Sequence, residues 1–219
     1  MKKFLPTFIF LVLIIVPFVL FLAGGWCVEP GHACPALVTM DHTASSFSGG
    51  PFPMPLLAAL IFITSLANPT NAVIFILIAL LVLLLIRERF IAALFFTGLV
   101  LGIDVVFAGK DFFNRPRPSQ LIYSFTRLGA SYPSGHAFIG IVFYGFIGYV
   151  LWHHLRHPLS RWLVAFITIM LIAAIGFSRV ALDFHWLTDI IGGWLLGGAV
   201  LTILIVSYRH LHRHISVIQ

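Results

Sequence analysis

Three short polar segments interrupt an otherwise apolar chain, and they carry residue types suited to chemistry on a phosphate. The segments are Lys110 to Pro118 (KDFFNRPRP), Pro133 to His136 (PSGH) and Ser178 to Asp189 (SRVALDFHWLTD). Charged groups are rare and costly inside a membrane protein, so polar groups gathered at three separated places indicate one assembled site. Cations beside histidines are typical of a phosphate-binding pocket with a histidine nucleophile.

The third segment places a histidine and a carboxylate four residues apart. His185 and Asp189 stand at the predicted entry to a helix, where this spacing puts two side chains on one face. The carboxylate can accept one imidazole N–H, fix the tautomer and leave the other ring nitrogen free to attack. A pair that only caps the helix entry is the alternative. The preceding Ser178 and Arg179 favour phosphate chemistry, because a guanidinium donates in a fork that matches phosphate oxygens.

The middle segment lies where a polar loop meets a predicted helix. Ser134 is a candidate N-cap, and Gly135 would let a ligand approach the exposed backbone N–H groups of the helix start. His136 would point into the same space. An ordinary helix cap is the alternative for this tetrapeptide, since Ser-Gly before a helix is common.

The first segment supplies two further cations. Lys110 and Arg117 are seven residues apart and would share a helical face, but Pro116 and Pro118 favour an irregular helix end. Both side chains are long enough to reach a phosphate from such an end. Snorkelling to lipid headgroups is the alternative role for them.

In order and spacing the three segments resemble the signature of the type 2 phosphatidic acid phosphatase superfamily. The pattern is K-x6-R-P, then P-S-G-H, then S-R-x5-H-x3-D, and every position is present between Lys110 and Asp189. The order of the predicted helices also resembles that of the bacterial membrane members. The resemblance therefore extends over most of the chain.

The resemblance implies a role for each residue of the pattern. His185 would be the nucleophile and Asp189 would orient it. His136 would protonate the leaving oxygen and later activate water to hydrolyse a phosphohistidine intermediate. Five residues would bind the phosphate oxygens: Lys110, Arg117, Ser134, Gly135 and Arg179.

No metal and no other cofactor is expected for this chemistry. Phosphoryl transfer spreads negative charge over the equatorial oxygens, and fixed cations and N–H donors can stabilise that charge. The segments on the site side contain no cluster of carboxylates suited to Mg²⁺.

The composition is that of an integral membrane protein. Of the 219 residues 60% are hydrophobic and 9% are charged, whereas an ordinary soluble domain has about 25% charged residues. The formal net charge is +6, but long apolar runs separate the basic residues, which therefore form no stripe for nucleic acid. Embedding in a membrane is expected, and a nucleic-acid partner is not.

Apolar windows of about 20 residues predict an all-α polytopic bundle of about six transmembrane helices, in a single domain over residues 1–219. The first window is long enough to stay as an uncleaved helix rather than a signal peptide. Residues 53–67 predict a membrane-surface or re-entrant helix before the second span, because Asn68-Pro69 breaks the apolar run. The predicted spans are 4–23, about 70–86, 90–108, 137–152, 162–177 and 187–207.

The basic residues that flank the spans predict the orientation. The side with more of them should be cytoplasmic: Lys2, Lys3, Arg87, Arg89, Arg156, Arg161, Arg209 and Arg213. The outer side has five, three of which belong to the signature: Lys110, Arg115, Arg117, Arg127 and Arg179. We expect a multi-pass protein of a bacterial cytoplasmic (inner) membrane, with the site facing the periplasm or the outside.

Residues 24–52, rich in Gly, Pro and Ser, predict a loop on the outer side. Cys27 and Cys34 in this loop can form a disulfide in an oxidising compartment or remain two thiols. Together with residues 119–131 and the gaps between helices, the loop would decide which lipid headgroup is accepted.

Other polar residues have less specific interpretations. Asp104 and Asp183 are expected to pair with a nearby arginine, with tuning of the site as the alternative. Arg115 and Arg127 are near enough to bind an anionic lipid headgroup, and a position facing solvent or the headgroup layer is the alternative. Two histidine-rich patches on the predicted cytoplasmic side are interpreted as interfacial, with metal binding as the alternative: His153, His154 and His157, and His210, His212 and His214.

These features predict a lipid phosphatase whose substrate carries a phosphate monoester or pyrophosphate. Phosphatidic acid, phosphatidylglycerol phosphate and undecaprenyl pyrophosphate are the candidates, and the oligomeric state is undetermined. A lipid-to-lipid phosphotransferase would use the same intermediate. A non-catalytic lipid-phosphate binder or transporter would need the cations but has no use for His185 or His136.

Overall fold

The computed structural model describes residues 4–48, 50–118 and 129–215, and within them the chain forms eight helices. The sixth contains a π-helical turn at Gly140–Tyr144. The helices are α1 (Phe4–Val28), α2 (Pro35–Ser45), α3 (Met54–Ser65), α4 (Pro69–Leu85), α5 (Arg89–Phe113), α6 (Gly135–His154), α7 (Pro158–Ala181) and α8 (Leu187–Ile215).

The predicted all-α membrane bundle is confirmed. Five helices are individually long and apolar enough to cross a membrane, namely α1, α5, α6, α7 and α8. The pair α3 and α4 passes the same test together and is bent by 51°, which gives up to six spans. The bend lies where Asn68-Pro69 interrupts the apolar run, and the Asn68 side chain accepts a hydrogen bond from the Thr70 N–H at 3.2 Å.

The prediction that residues 24–52 are a loop is wrong in part. Helix α1 continues to Val28, and α2 occupies the middle of the segment, with Pro35 in its first turn, where a missing N–H costs nothing. Cys27 and Cys34 form a disulfide with a Cα–Cα distance of 4.9 Å. The disulfide joins the end of α1 to the start of α2.

Aromatic side chains fill the space between α1, α5, α6 and α8. The Phe95 and Phe146 rings stack at 5.0 Å between centroids, and both side chains are fully buried. Near the other end of the bundle Tyr132 stacks on Phe21 at 5.7 Å and donates its hydroxyl to the Phe21 carbonyl at 2.6 Å. Lipid tails are as apolar as these rings, so the rings stabilise the bundle through packing contacts rather than through removal from water.

Glycines allow the closest helix contacts. A Cβ at Gly193 of α8 would lie 2.5 Å from the Ser134 carbonyl oxygen and 3.2 Å from the Phe138 N. The backbone of α8 at Gly193 therefore contacts the backbone of α6 at its first turn. Gly198 lies about one and a half turns further along α8, and a Cβ there would meet no atom of the other described elements within 4 Å.

The three signature segments lie at one end of the bundle. Helices α5 and α7 end there, at Phe113 and Ala181, and α6 and α8 begin there, at Gly135 and Leu187. At the opposite end the Arg209 Nε donates to the Tyr149 hydroxyl at 2.8 Å. The histidine patches lie at that opposite end, and the side chains of His212 and His214 lie outside the described residues.

We expect Gly193→Ala to destabilise the bundle, because an added methyl group would clash with the Ser134 carbonyl rather than with a movable side chain. Overpacking of this kind costs about 1–3 kcal/mol of unfolding free energy. The matched control is Gly198→Ala in the same helix, where the methyl group has room. The midpoint of thermal unfolding in detergent should fall for the first variant and stay near the parent value for the second. Equal midpoints for the two variants would contradict the close contact.

Candidate active site

The nucleophile candidate His185 lies in the turn between α7 and α8. Its Nδ1 faces the Asp189 Oδ2 at 3.3 Å, and the two side chains are 3% and 0% exposed. Asp189 Oδ2 also accepts the Trp186 N–H at 2.9 Å, so the carboxylate has a fixed orientation. Such a pair places the proton on Nδ1 and leaves Nε2 as the unprotonated nitrogen.

The Nε2 atom of His185 faces a cation. It lies 3.4 Å from the Arg117 Nη1, and that same Nη1 donates to the Phe184 carbonyl at 2.8 Å. Arg117 Nε donates to the Gly129 carbonyl at 3.0 Å. The guanidinium is thus held beside the free imidazole nitrogen by two backbone carbonyls.

Lys110 and Arg179 complete the group of cations. Lys110, in the last turn of α5, donates its ammonium to the Ala130 carbonyl at 2.7 Å. Arg179, in the last turn of α7, is buried, donates to the Thr64 Oγ1 at 3.0 Å and stacks over the Phe184 ring at 4.3 Å. Its Nε has no hydrogen-bond partner among the described residues. An unpartnered buried N–H is costly and indicates a place for a ligand acceptor.

The start of α6 is capped as predicted. The Ser134 side chain accepts from the Ala137 N–H at 3.4 Å, and its backbone N–H donates to the Asp189 carbonyl at 3.0 Å. Gly135 is the first residue of the helix. A backbone hydrogen bond therefore joins Ser134, at the start of α6, to Asp189, whose side chain faces His185.

His136 belongs to the same group of charges. It is half-buried in the first turn of α6 and lies within electrostatic range of His185 and of the three cations. The structure therefore brings together all eight residues singled out in the sequence. The short helical spacing predicted the His185–Asp189 pair correctly, although His185 itself precedes the first residue of α8.

The electrostatics of the site keep His185 neutral. Burial lowers the pKa of His185 well below its ordinary value, and the positive charges of Arg179, Arg117 and Lys110 lower it further. Burial also lowers the pKa of Arg117, while Asp189 counteracts the effect. A neutral imidazole beside a set of cations is ready to attack an electrophile that carries negative charge.

Arg115 was expected to face solvent or headgroups, and this prediction is wrong. Its side chain is 8% exposed and donates from Nη1 to the Asp189 Oδ1 at 2.6 Å and to the Thr188 Oγ1 at 2.7 Å. Its Nη2 forms an ion pair with Asp41, which lies in α2 and is 1% exposed. Asp41 was not among the candidate residues, since no spacing in the sequence relates it to the signature.

Other expectations have separate outcomes. Asp104 is exposed on α5 and forms no ion pair with any residue in the described ranges, so the expected arginine partner is not found there. Asp183 accepts a hydrogen bond from the Ser48 hydroxyl at 3.3 Å. Arg127 and most of the segment 119–131 lie outside the described residues.

Comparison with known proteins identifies relatives. A family model described as the PAP2 superfamily matches residues 89–213, which contain all three signature segments. Phosphatidylglycerophosphatase B of Bacillus subtilis (strain 168) is 33% identical over 94 residues, which cover 40% of this chain and 43% of that protein. The aligned segment thus spans less than half of the curated relative.

Two solved structures share the fold. The first transmembrane PAP2 type phosphatidylglycerolphosphate phosphatase from Bacillus subtilis superimposes with a TM-score of 0.78 and 22% identity, over 91% of this chain and 97% of that one. Aquifex aeolicus LpxE superimposes with a TM-score of 0.57 and 20% identity, over 79% of this chain and 96% of that one.

The lowered pKa of His185 predicts sensitivity to acid. Below about pH 6.5 the histidine takes up a proton in the unfolded chain but not in the folded one, so folding stability falls as the pH falls. Between pH 6.5 and 5 the loss should be up to about 2 kcal/mol, at roughly 1.4 kcal/mol per pH unit. The thermal midpoint should therefore drop less between pH 7.5 and 5 in His185→Gln than in the parent.

The control for this measurement is His154→Gln, at an exposed histidine at the other end of the bundle. Its drop in thermal midpoint should equal that of the parent. An equal drop in the His185→Gln protein would show that His185 is not held neutral.

Proposed function

This chain belongs to the PAP2 superfamily, and from that membership and the geometry of its site we propose that it is a membrane lipid phosphatase. It hydrolyses a phosphate monoester or pyrophosphate on a lipid, without a metal ion. The observation that carries the proposal is the arrangement around His185: Asp189 holds one ring nitrogen, and the other faces Arg117 at 3.4 Å. A pocket that only binds phosphate has no need of an oriented, unprotonated imidazole.

In the first step the His185 Nε2 attacks the terminal phosphorus, and the bond from that phosphorus to the leaving oxygen breaks. The leaving oxygen is that of the lipid hydroxyl in a monoester and the bridging oxygen in a pyrophosphate. The imidazolium form of His136 gives its proton to the leaving oxygen, and the product is a phosphohistidine. The Nδ1–H of the modified ring, now positively charged, remains against the Asp189 carboxylate. In the second step water attacks phosphorus, His136 takes a proton from the water, and the P–N bond breaks to return neutral His185 and phosphate.

The phosphate oxygens are bound by the three cations and by the start of α6. Lys110, Arg117 and Arg179 offer N–H donors from three directions, and the unpartnered Arg179 Nε is one of them. Ser134 and Gly135 contribute the backbone at the helix start. Backbone carbonyls already hold Lys110 and Arg117, and Thr64 holds Arg179. The three cations therefore need little rearrangement as negative charge develops on the phosphate oxygens.

An apolar cavity below the site supports a lipid substrate. It has a volume of about 300 Å³, lies between α1, α5 and α8, and is lined by residues such as Phe18, Leu101 and Ile203. Gly102 and Leu196, which also line it, lie about two helical turns below Lys110 and Asp189, or roughly 10–12 Å at 1.5 Å per residue. A lipid tail would occupy this cavity while the headgroup stays at the site.

The site faces the outside of a bacterial cytoplasmic membrane in this proposal. The three cations of the site lie at the same end of the bundle as the Cys27–Cys34 disulfide. Disulfides persist in oxidising compartments and are rare in the cytosol. The excess of flanking basic residues at the opposite end agrees with this orientation.

Phosphatidylglycerol phosphate is the first substrate to test, because the curated relative is a phosphatidylglycerophosphatase. Phosphatidic acid and undecaprenyl pyrophosphate should be tested beside it.

Phosphate release by purified protein in detergent tests the proposal, with EDTA present and with the three lipids as substrates. At least one lipid should be hydrolysed despite EDTA. His185→Ala should reduce release to the background rate, because no nucleophile remains. His136→Ala should slow release by about 100-fold or more, the range for loss of a general acid.

The matched control is His154→Ala, which removes a histidine at the opposite end of the bundle and should leave the rate unchanged. Activity in the His185→Ala protein would refute the mechanism. Release that needs a second lipid as acceptor would instead identify a phosphotransferase. Binding of all three lipids without release would identify a carrier of phosphorylated lipids.

A further inference from the structure

Among the described residues, Asp41 is the most deeply buried acidic residue outside the signature. Its side chain is 2% exposed, although α2 lies on the segment between α1 and α3, where a loop was expected. Its Oδ1 accepts the Thr188 N–H at 2.9 Å, and its Oδ2 accepts the Thr188 hydroxyl at 2.7 Å and pairs with the Arg115 Nη2. A charge buried this deeply is tolerated only when it is paired and hydrogen-bonded, as Asp41 is.

A continuous chain of contacts runs from Asp41 to the imidazole of His185. Arg115 lies between two carboxylates, with Nη2 on Asp41 and Nη1 on the Asp189 Oδ1 at 2.6 Å. The other oxygen of Asp189 faces His185 Nδ1 at 3.3 Å. The four groups belong to α2, to the loop after α5, to α8 and to the turn before α8.

The balance of charge gives the chain a function beyond packing. Two carboxylates share one guanidinium, so the three groups carry a net charge of −1. If Arg115 had no second partner, its positive charge would act on Asp189 alone. Asp189 would then stabilise a positively charged imidazole less well, because the interaction of a carboxylate with a guanidinium competes with its interaction with the ring.

We propose that Asp41 is a positioning residue for the nucleophile: by sharing Arg115 with Asp189, it keeps Asp189 oriented and negative toward His185. This inference rests on the proposed function, since it concerns the reactivity of the same histidine. It assigns a role to α2, which carries none of the signature residues. Thr188 strengthens the assignment, because its hydroxyl accepts from Arg115 and donates to Asp41.

A double-mutant cycle tests the charge balance. Asp41→Asn keeps the shape of the side chain but leaves Arg115 paired only with Asp189, so the net charge becomes 0. Arg115→Gln leaves two facing carboxylates with a net charge of −2. The double variant restores −1. If the charges interact, its loss of kcat will be smaller than the product of the two single losses.

We expect Asp41→Asn to lower kcat by about 10- to 100-fold, which corresponds to a loss of about 1.4–2.7 kcal/mol of transition-state stabilisation. KM should change little, because the cations that bind the phosphate do not contact Asp41. The matched control is Asp111→Asn, an exposed carboxylate in the last turn of α5 at the same end of the bundle, which should leave both constants unchanged. An unchanged kcat in Asp41→Asn, or losses that simply multiply in the double variant, would overturn the proposal.

A second readout separates this proposal from the proposed function. Diethyl pyrocarbonate acylates unprotonated imidazole nitrogens, and mass spectrometry can follow its reaction at His185 in detergent without any lipid. The rate at His185 should fall several-fold in Asp41→Asn and partly recover in the double variant. If the parent releases no phosphate but these rates change as expected, the phosphatase assignment fails while the role of Asp41 stands. If thermal stability falls while the rate at His185 is unchanged, Asp41 only anchors α2 and the proposal fails.

Discussion

The site depends on the hydrogen bonds and ion pair made by the fully buried carboxylate of Asp189. A buried charge must be satisfied on every side, and Asp189 accepts from Arg115 and from the Trp186 N–H while it faces His185. Its backbone carbonyl accepts from the Ser134 N–H. One residue near the start of α8 thereby joins the nucleophile turn, the start of α6 and the loop after α5. Loss of this carboxylate would leave the buried Arg115 guanidinium with Asp41 as its remaining ionic partner, and it would leave the His185 ring without the group that orients it.

Like charges impose the second constraint. Lys110, Arg117 and Arg179 all lie close enough to His185 to lower its pKa. Each positive charge therefore also makes burial of the other two less favourable. Backbone carbonyls, the Thr64 hydroxyl and the Phe184 ring hold them in place without cancelling their charge. A bound phosphate would relieve this repulsion, so affinity for an anion is already present in the folded chain. The pKa of His185 is lowered first by burial and then by these same cations, which keeps the ring neutral.

The parts of the site that could be predicted from the sequence are those fixed by local geometry. Four-residue spacing predicted the His185–Asp189 contact, and Ser-Gly at a helix start predicted the cap at Ser134. Apolar windows predicted the spans, because in a membrane every backbone N–H must be paired within its helix. Arg115 and Asp41 could not be found in this way. They are 74 residues apart, and only the packing of α2 on α8 brings them together. The same packing explains why residues 24–52, which have the composition of a loop, contain a helix.

The absence of a side chain at Gly193 has a mechanical consequence. The backbones of α6 and α8 touch at Ser134, and a hydrogen bond of 3.0 Å joins Ser134 to Asp189, so a displacement of one helix start would disturb the other. The distance from the Ser134 cap to His185, the proposed nucleophile, therefore depends on a contact that a single added methyl group would disturb. Helices α2 and α3 pack on α8 and α7 respectively, and their contacts with the site include the Asp41 and Thr64 side chains. A rearrangement of either helix would therefore act on the charged side chains of the site, on Arg115 through Asp41 and on Arg179 through Thr64.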